Sequence, residues 1–161
     1  MMSSNESGNE TVIGPEAQQQ LKELVERSQR IMAHAWMVRT FVKHCDEVED
    51  YPELNEMART IFDTFRALET QIDDPSSYFR FLRKKLGKLR TASGEFKKNA
   101  WHASTHTNFQ QAVISIAYVV EQLEDIMARG DTLLPRPAPP KITLPPGRSA
   151  GPTTSDEGKP Q

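Results

Sequence analysis

Apolar residues in the middle of the chain recur at alternating steps of three and four, which places their side chains along one side of an α-helix. Four such stripes occur, and strand-like alternation at every second position is absent from this segment. The stripes are Leu21, Leu24, Ser28, Ile31, Ala35, Val38, Val42 and Cys45; Leu54, Ala58, Ile61, Phe65, Leu68 and Ile72; Phe79, Leu82, Leu86, Leu89, Ser93, Phe96, Ala100 and Ala103; and Phe109, Ala112, Ile116, Val119, Leu123 and Ile126. They predict helices at about 16–49, 53–72, 76–103 and 106–129.

Residues that typically begin or end helices stand at these boundaries. Three prolines stand where the first helical turns are predicted: Pro15, Pro52 and Pro75. Asp74 is a natural N-cap, Thr107 with Gln110 forms a capping box, and Gly130 is placed to end the fourth helix. Ser93 and the glycine after it form the one place where the third helix is expected to kink or divide.

The predicted connections span only a few residues, so neighbouring helices must be antiparallel. We therefore predict an all-α protein, an antiparallel up-down-up-down four-helix bundle at 15–129 with a disordered N-terminal tail at 1–14. Apart from the three helix-starting prolines, all of the eleven prolines lie beyond Gly130, and 130–161 is predicted to be a second disordered tail. Within it, residues 137–141 (PAPPK) also fit the aromatic-lined grooves that bind extended proline-rich chains.

Composition narrows the class of protein. The chain has 161 residues and a net charge of -2, so it lacks the strong overall basicity of many nucleic-acid-binding proteins. Its single cysteine, Cys45, permits no intrachain disulfide and excludes a cysteine-rich zinc module. No apolar stretch approaches the roughly 20 residues of a membrane span. We expect a soluble, cytoplasmic protein with no membrane contact.

The outer side of the first and fourth helices is unusually apolar. Trp36 and Met37 are predicted to point away from the first stripe, and Ile114 and Tyr118 away from the fourth. These two helices are neighbours in the predicted topology, so the four side chains should form one apolar interface, typical of a homodimer. Trp36→Glu would then give a monomer that stays folded. In the alternative interpretation, Trp36 lies across a groove of the bundle and the flanking positions are merely apolar.

The third helix is basic, with eight lysines and arginines against Glu95 between residues 76 and 98. Six of these bases are candidates for binding nucleic acid or another polyanion: Arg80, Arg83, Lys84, Lys85, Lys88 and Arg90. Tyr78 and Phe81 are possible stacking residues beside them. Alternatively, the bases form a solvated face and pair with acidic residues of neighbouring helices, at tenths of a kcal/mol for each exposed pair.

Histidines collect at one end of the predicted bundle. His44, His102 and His106 are candidate ligands of a metal-dependent hydrolase. His102 and His106 have a spacing of four, yet the turn expected at 104–105 would put them on different helices, and no Glu-x-x-His pair of a di-iron bundle occurs. Cys45 is most simply a small buried residue, and its pairing with a histidine as a nucleophile is the alternative.

Two strings, AHAWMVRTFVKH at 33–44 and STHTNF at 104–109, resemble a family of short uncharacterised bacterial helical proteins, some of which are labelled amidohydrolases. Amidohydrolases are TIM barrels with a His-x-His pair, which this chain lacks, so no catalytic residue is carried over. The resemblance draws attention to one polar surface near the histidine end. That surface consists of Arg39, Lys43, His44, His106 and Asn108.

No glycine-rich phosphate loop, nucleophile elbow or His-Glu-x-x-His motif occurs in the chain. We therefore expect no catalytic site and no cofactor. The sequence favours an interaction or scaffold bundle that self-associates through its first and fourth helices and also contacts a further protein. The metal-dependent hydrolase and the polyanion-binding protein remain the alternatives.

Overall fold

The computed structural model describes residues 13–135, and this part of the chain is helical apart from short connections, without a β-strand. It contains five α-helices and one 3-10 turn. Their bounds are α1 at Pro15–Lys43, α2 at Glu47–Asp50, the 3-10 turn at Pro52–Leu54, α3 at Asn55–Glu69, α4 at Pro75–Ala103 and α5 at Thr107–Leu133. The all-α prediction is confirmed. None of these helices is long and apolar enough to cross a membrane.

The first predicted helix is too long at its C-terminal end. α1 stops at Lys43, with His44 as its C-cap, and the separate helix α2 follows after a break. α2 contains no fully buried residue, and only Val48 packs, partly buried, against the core, so little packing energy extends α1 through this acidic segment. Pro52 then begins the 3-10 turn, and α3 proper starts only at Asn55.

The other boundaries also differ by a few residues. α3 ends at Glu69, and Ile72, which the stripe pattern assigns to the same helix, is 41% exposed. α4 runs unbroken through Ser93, the position at which a kink was expected. Ser93 is buried among apolar side chains. The N-cap of α5 is His106 rather than Thr107, because the His106 ring nitrogen accepts the Asn108 N–H at 3.2 Å. Asp74 is the N-cap of α4, as predicted, and accepts from the Ser77 N–H at 3.1 Å.

Each long helix packs against two others: α1 and α4 both lie against α3 and α5. The four stripes supply the core that lies between them, and Leu82, Leu89, Ile116 and Leu123 are fully buried. The least buried members of the stripes stand near helix ends, as Ala103 does. Periodicity therefore identified the packed side of every long helix.

One polar contact crosses the core. The Tyr78 hydroxyl of α4 donates to the Ser28 hydroxyl of α1 at 2.8 Å, and both residues are buried. Burial raises the pKa of Tyr78, and the hydrogen bond to Ser28 opposes this shift. A buried hydroxyl without a partner costs about 1–3 kcal/mol, so the two groups specify each other's position.

Gly130 does not end a helix, as the sequence suggested, but lies inside the last turn of α5. Its backbone passes directly against the ring of Phe79 on α4, and a Cβ atom at Gly130 would collide with three ring carbons. Phe79 is fully buried, so its ring has no free space to move into. Glycine is required here because α4 and α5 approach closely.

The predicted tails lie mostly outside the described residues, which exclude 1–12 and 136–161. Of the predicted C-terminal tail, residues 130–133 belong to α5. The helix therefore continues four residues past its predicted end at 129.

Gly130→Ala should destabilise the protein by about 1–3 kcal/mol, because the added methyl group overpacks the contact with Phe79. Gly87 on α4 provides the matched control, since a Cβ atom added there would have no other group within 4 Å. Gly87→Ala should instead stabilise the helix by about 0.5–1 kcal/mol. Urea unfolding followed by circular dichroism measures both, and equal effects of the two variants would contradict this packing.

Stability at high pH should depend on Tyr78. In the unfolded chain this phenol ionises near its ordinary pKa of 10.0, whereas burial keeps it protonated in the folded protein. The unfolded state then binds fewer protons, so the free energy of unfolding falls as the pH rises above about 10. Tyr78→Phe should unfold more easily than the unmodified protein at pH 8 but lose less stability between about pH 9 and pH 11. Parallel pH profiles in urea unfolding would refute this account.

Candidate interaction surface

An apolar patch lies on the outer side of α1 and α5. Its most exposed large side chains are Met37 at 65%, Ile114 at 60% and Tyr118 at 48%. The side chains of His34 on α1 and Ser115 on α5 form a hydrogen bond of 2.7 Å. This bond marks where the two helices meet beside the patch. Met37 and Tyr118 each follow that point by three residues on their own helix, so they lie on the same side of the molecule. We call Met37, Ile114, Ala117 and Tyr118 the α1/α5 surface.

The stretches of α1 and α5 around this surface contain no Asp, Glu, Lys or Arg. α5 contains no acidic or basic residue between positions 107 and 120, and α1 contains none between 31 and 38 apart from His34. Farther along the same pair of helices, Arg27 bonds Gln122 at 2.5 Å and Asp125 at 3.3 Å. The surface is thus an uncharged area with a polar border.

Trp101 is a further exposed large side chain, on α4, and was not predicted from the sequence. Two ion pairs between α4 and α5, Arg83 with Asp131 and Arg90 with Glu124, fix an antiparallel register. Trp101 follows Arg83 by 18 residues and Arg90 by 11, so it lies on the same face of α4 as these two arginines, beside α5. The indole is 52% exposed. Trp101 directly follows Ala100, which belongs to the third stripe, so the periodic pattern does not indicate which helix Trp101 lies against.

Trp36 does not belong to the α1/α5 surface. Its ring packs against α3, with centroid distances of 4.8 Å to Phe65 and 6.2 Å to Phe62. Two successive helical steps turn the chain by about 200°, so His34 and Trp36 point to opposite sides of α1. This position agrees with the alternative interpretation, in which Trp36 lies across a groove of the bundle.

Arg39 completes this second cluster. Its guanidinium carbon lies 4.4 Å from the centre of the Trp36 ring and 5.3 Å from that of Phe62, within the range of a cation–π contact. Its buried Nε has no hydrogen-bond partner among the described residues. Arg39 was expected on a polar surface with His106 and Asn108, but it instead covers aromatic rings between α1 and α3.

The other residues of that predicted polar surface have local roles at helix ends. Lys43 is the last residue of α1 and His44 is its C-cap, where a basic side chain complements the helix dipole. His106 caps α5 through the N–H of Asn108. Capping therefore accounts for the contacts of His44, His106 and Asn108 that the structure records.

Within the described part of the chain, the candidate histidines are not grouped as a metal site would require. His102 lies within α4 and His106 beyond its end, so their spacing of four does not place them on one helical face. Between residues 13 and 135, no three His, Cys, Asp or Glu side chains are grouped to hold a metal ion.

Cys45 has the features of a structural thiol. It is partly buried, its sulfur donates to the Val42 carbonyl at 3.1 Å, and burial raises the pKa of the thiol. A raised pKa leaves little thiolate at neutral pH, which opposes a nucleophilic role.

Half of the six candidate polyanion-binding residues form ion pairs with neighbouring helices. Arg83 and Arg90 pair with acidic residues of α5, and Lys88 pairs with Glu56 of α3 at 3.6 Å. The side chains of all three bases remain more than half exposed, so these pairs contribute only tenths of a kcal/mol but offset the local charge.

The remaining bases have little aromatic support. Arg80 and Lys84 lie over the half-buried ring of Phe81 at 5.4 and 5.5 Å, while Lys85 is partly buried. Tyr78 is unavailable for stacking, because its ring is in the core. A continuous basic and aromatic strip is therefore not formed.

Comparison with known proteins finds no matching family model, curated protein or solved structure. The resemblance to short bacterial helical proteins stays a prediction.

Trp36→Ala should lower the free energy of unfolding by about 2 kcal/mol, because it removes a half-buried ring from its contacts with Phe62 and Phe65. Met37→Ala is the adjacent control, and at an exposed position it should change stability by less than about 0.5 kcal/mol. Urea denaturation of both variants measures the difference. A larger loss for Met37→Ala would show that the assignment of inward and outward positions is reversed.

Proposed function

We propose that this protein is a non-enzymatic interaction or scaffold module that forms a homodimer through the α1/α5 surface. In this proposal α1, α3, α4 and α5 form an up-down-up-down four-helix bundle. The pairwise packing of the four helices and their short connections support that topology. The module acts in the cytoplasm, where reducing conditions keep its single cysteine free.

The observation that carries the proposal is the cluster of exposed apolar side chains in an uncharged area. Met37, Ile114 and Tyr118 are each about half exposed or more, and Trp101 on the neighbouring helix α4 is 52% exposed. Soluble proteins rarely leave such side chains together in water unless the area is covered in an assembly. Tyr, Trp and Met are also the residue types enriched in interfaces.

The lack of charge favours a second copy of this chain as the partner. A two-fold interface brings the same patch of both subunits together, so charged residues near its axis meet their own copies and repel. The α1/α5 surface avoids this repulsion because α5 has no charged residue from 107 to 120. A homodimer then presents its remaining surfaces in duplicate to a further protein partner.

Ile114→Glu should convert the dimer to a monomer, because a buried, unpaired carboxylate at the interface would cost more than the contacts return. Sedimentation velocity over a range of protein concentrations measures the association state. Since Ile114 is 60% exposed in the monomer, the variant should keep its helical circular dichroism and its unfolding midpoint.

Two exposed alanines on α5 provide a matched comparison. Ala117 lies within the α1/α5 surface, whereas Ala128 is three helical turns farther along, beyond the uncharged stretch. Ala117→Glu should weaken dimerisation by a factor of about ten or more, and Ala128→Glu should leave it unchanged. A monomeric unmodified protein at tens of micromolar, or equal effects of the two substitutions, would refute the proposal.

A further inference from the structure

One histidine lies within the otherwise uncharged α1/α5 surface. His34 of α1 is exposed, and its Nε2 lies 2.7 Å from the Ser115 hydroxyl of α5. Seven residues earlier on α1, Arg27 bonds Gln122, which lies seven residues later on α5. These two contacts show that α1 and α5 run antiparallel along this surface.

The antiparallel direction puts exposed side chains on both sides of the bond between His34 and Ser115. Met37 follows His34 by three residues on α1, and Tyr118 follows Ser115 by three residues on α5. They therefore lie about 4.5 Å along the helix axes from the bond, in opposite directions. Met37 and Tyr118 are each about half exposed or more. A partner that covers both of them also covers His34.

The two helices place no acidic side chain within one helical turn of this bond. The nearest charged residue on α1 is Arg30, which is basic and lies one turn before His34. On α5 the nearest is Glu121, six residues or about 9 Å along the axis from Ser115. The phenol of Tyr118 is the titratable group of α5 that lies closer. A positive charge on His34 therefore has no adjacent carboxylate on these helices.

The other long helices also offer this histidine no carboxylate. α3 packs against the opposite side of α1, where Trp36 contacts Phe65. The one acidic residue of α4, Glu95, forms an ion pair with Lys98 of the same helix at 2.8 Å. Within the described part of the chain, water is therefore what stabilises a charged imidazole at position 34. A second copy that covers the site removes this water, and burial of the unpaired charge is costly.

We infer that His34 makes the dimer sensitive to pH, so that two copies associate at neutral pH and separate when the imidazole is protonated. Histidine is the side chain whose charge changes between about pH 5 and pH 8. A two-fold dimer covers His34 once in each subunit, so both copies must lose a proton on association. Because the monomers then bind more protons than the dimer, the dissociation constant rises as the pH falls. This inference rests on the proposed function, since it concerns regulation of the same interface.

Sedimentation velocity of the full chain at constant ionic strength, at about pH 7.5 and about pH 5.5, measures the effect. The dissociation constant should increase about ten-fold or more between the two conditions, since up to two protons are bound for each dimer that separates.

Two glutamine variants assign the response to one histidine. His34→Gln keeps a side-chain amide that can bond Ser115 but cannot be protonated. Whatever its dissociation constant at neutral pH, that constant should change by less than about two-fold over the same range. His102→Gln removes an exposed histidine of α4 and is the matched control, which should keep the full response to pH.

The possible results have distinct meanings. A monomer at both pH values would refute the proposed dimer and this inference with it. A dimer of equal affinity at both pH values, or an unchanged pH response in His34→Gln, would refute only the role of His34. Circular dichroism at the lower pH should show the full helix content. Loss of helix together with the dimer would assign the change to unfolding and would also overturn the inference.

Discussion

The close approach of α4 and α5 at Gly130 is the constraint on which the packing of these two helices depends. A glycine lets the Phe79 ring lie directly against the α5 backbone and so sets the spacing of the two helices at their lower end. Farther up, the ion pairs of Arg83 with Asp131 and of Arg90 with Glu124 also join the two helices. Trp101 lies about six helical turns along α4 from the Phe79 contact, on the same face of the helix as the two arginines.

The helix positions and their buried sides could be predicted from the sequence, because burial in a bundle requires a period near 3.6 residues. Helix ends were less predictable. Gly130 looked like a C-cap, since a glycine near the end of an apolar stripe usually is one, and only the neighbouring helix shows that a close contact requires it. Similarly, α1 ends before its predicted last turns because the acidic segment of α2 buries little surface, with only Val48 packed, partly buried, against the core.

The candidate surfaces were predictable only in part, because sequence periodicity says which residues face outward but not which groove they face. Met37, Ile114 and Tyr118 are exposed as expected. Trp36 is not on this outer surface, because its position on α1 points toward α3, where Phe62 and Phe65 pack against it. Tyr78 is buried because Ser28 offers its hydroxyl a partner inside the core. Each of these outcomes depends on a residue far away in the sequence.

The ion pairs that join α4 to its neighbours have a consequence for how molecules of this protein meet. They set acids of α3 and α5 beside the most basic helix, and the Debye length in physiological salt is only about 8 Å. The positive field of α4 therefore fades close to the surface, and so does any long-range steering or repulsion. An encounter between two copies would proceed at the unsteered rate of about 10⁵–10⁶ M⁻¹s⁻¹, with little response to added salt.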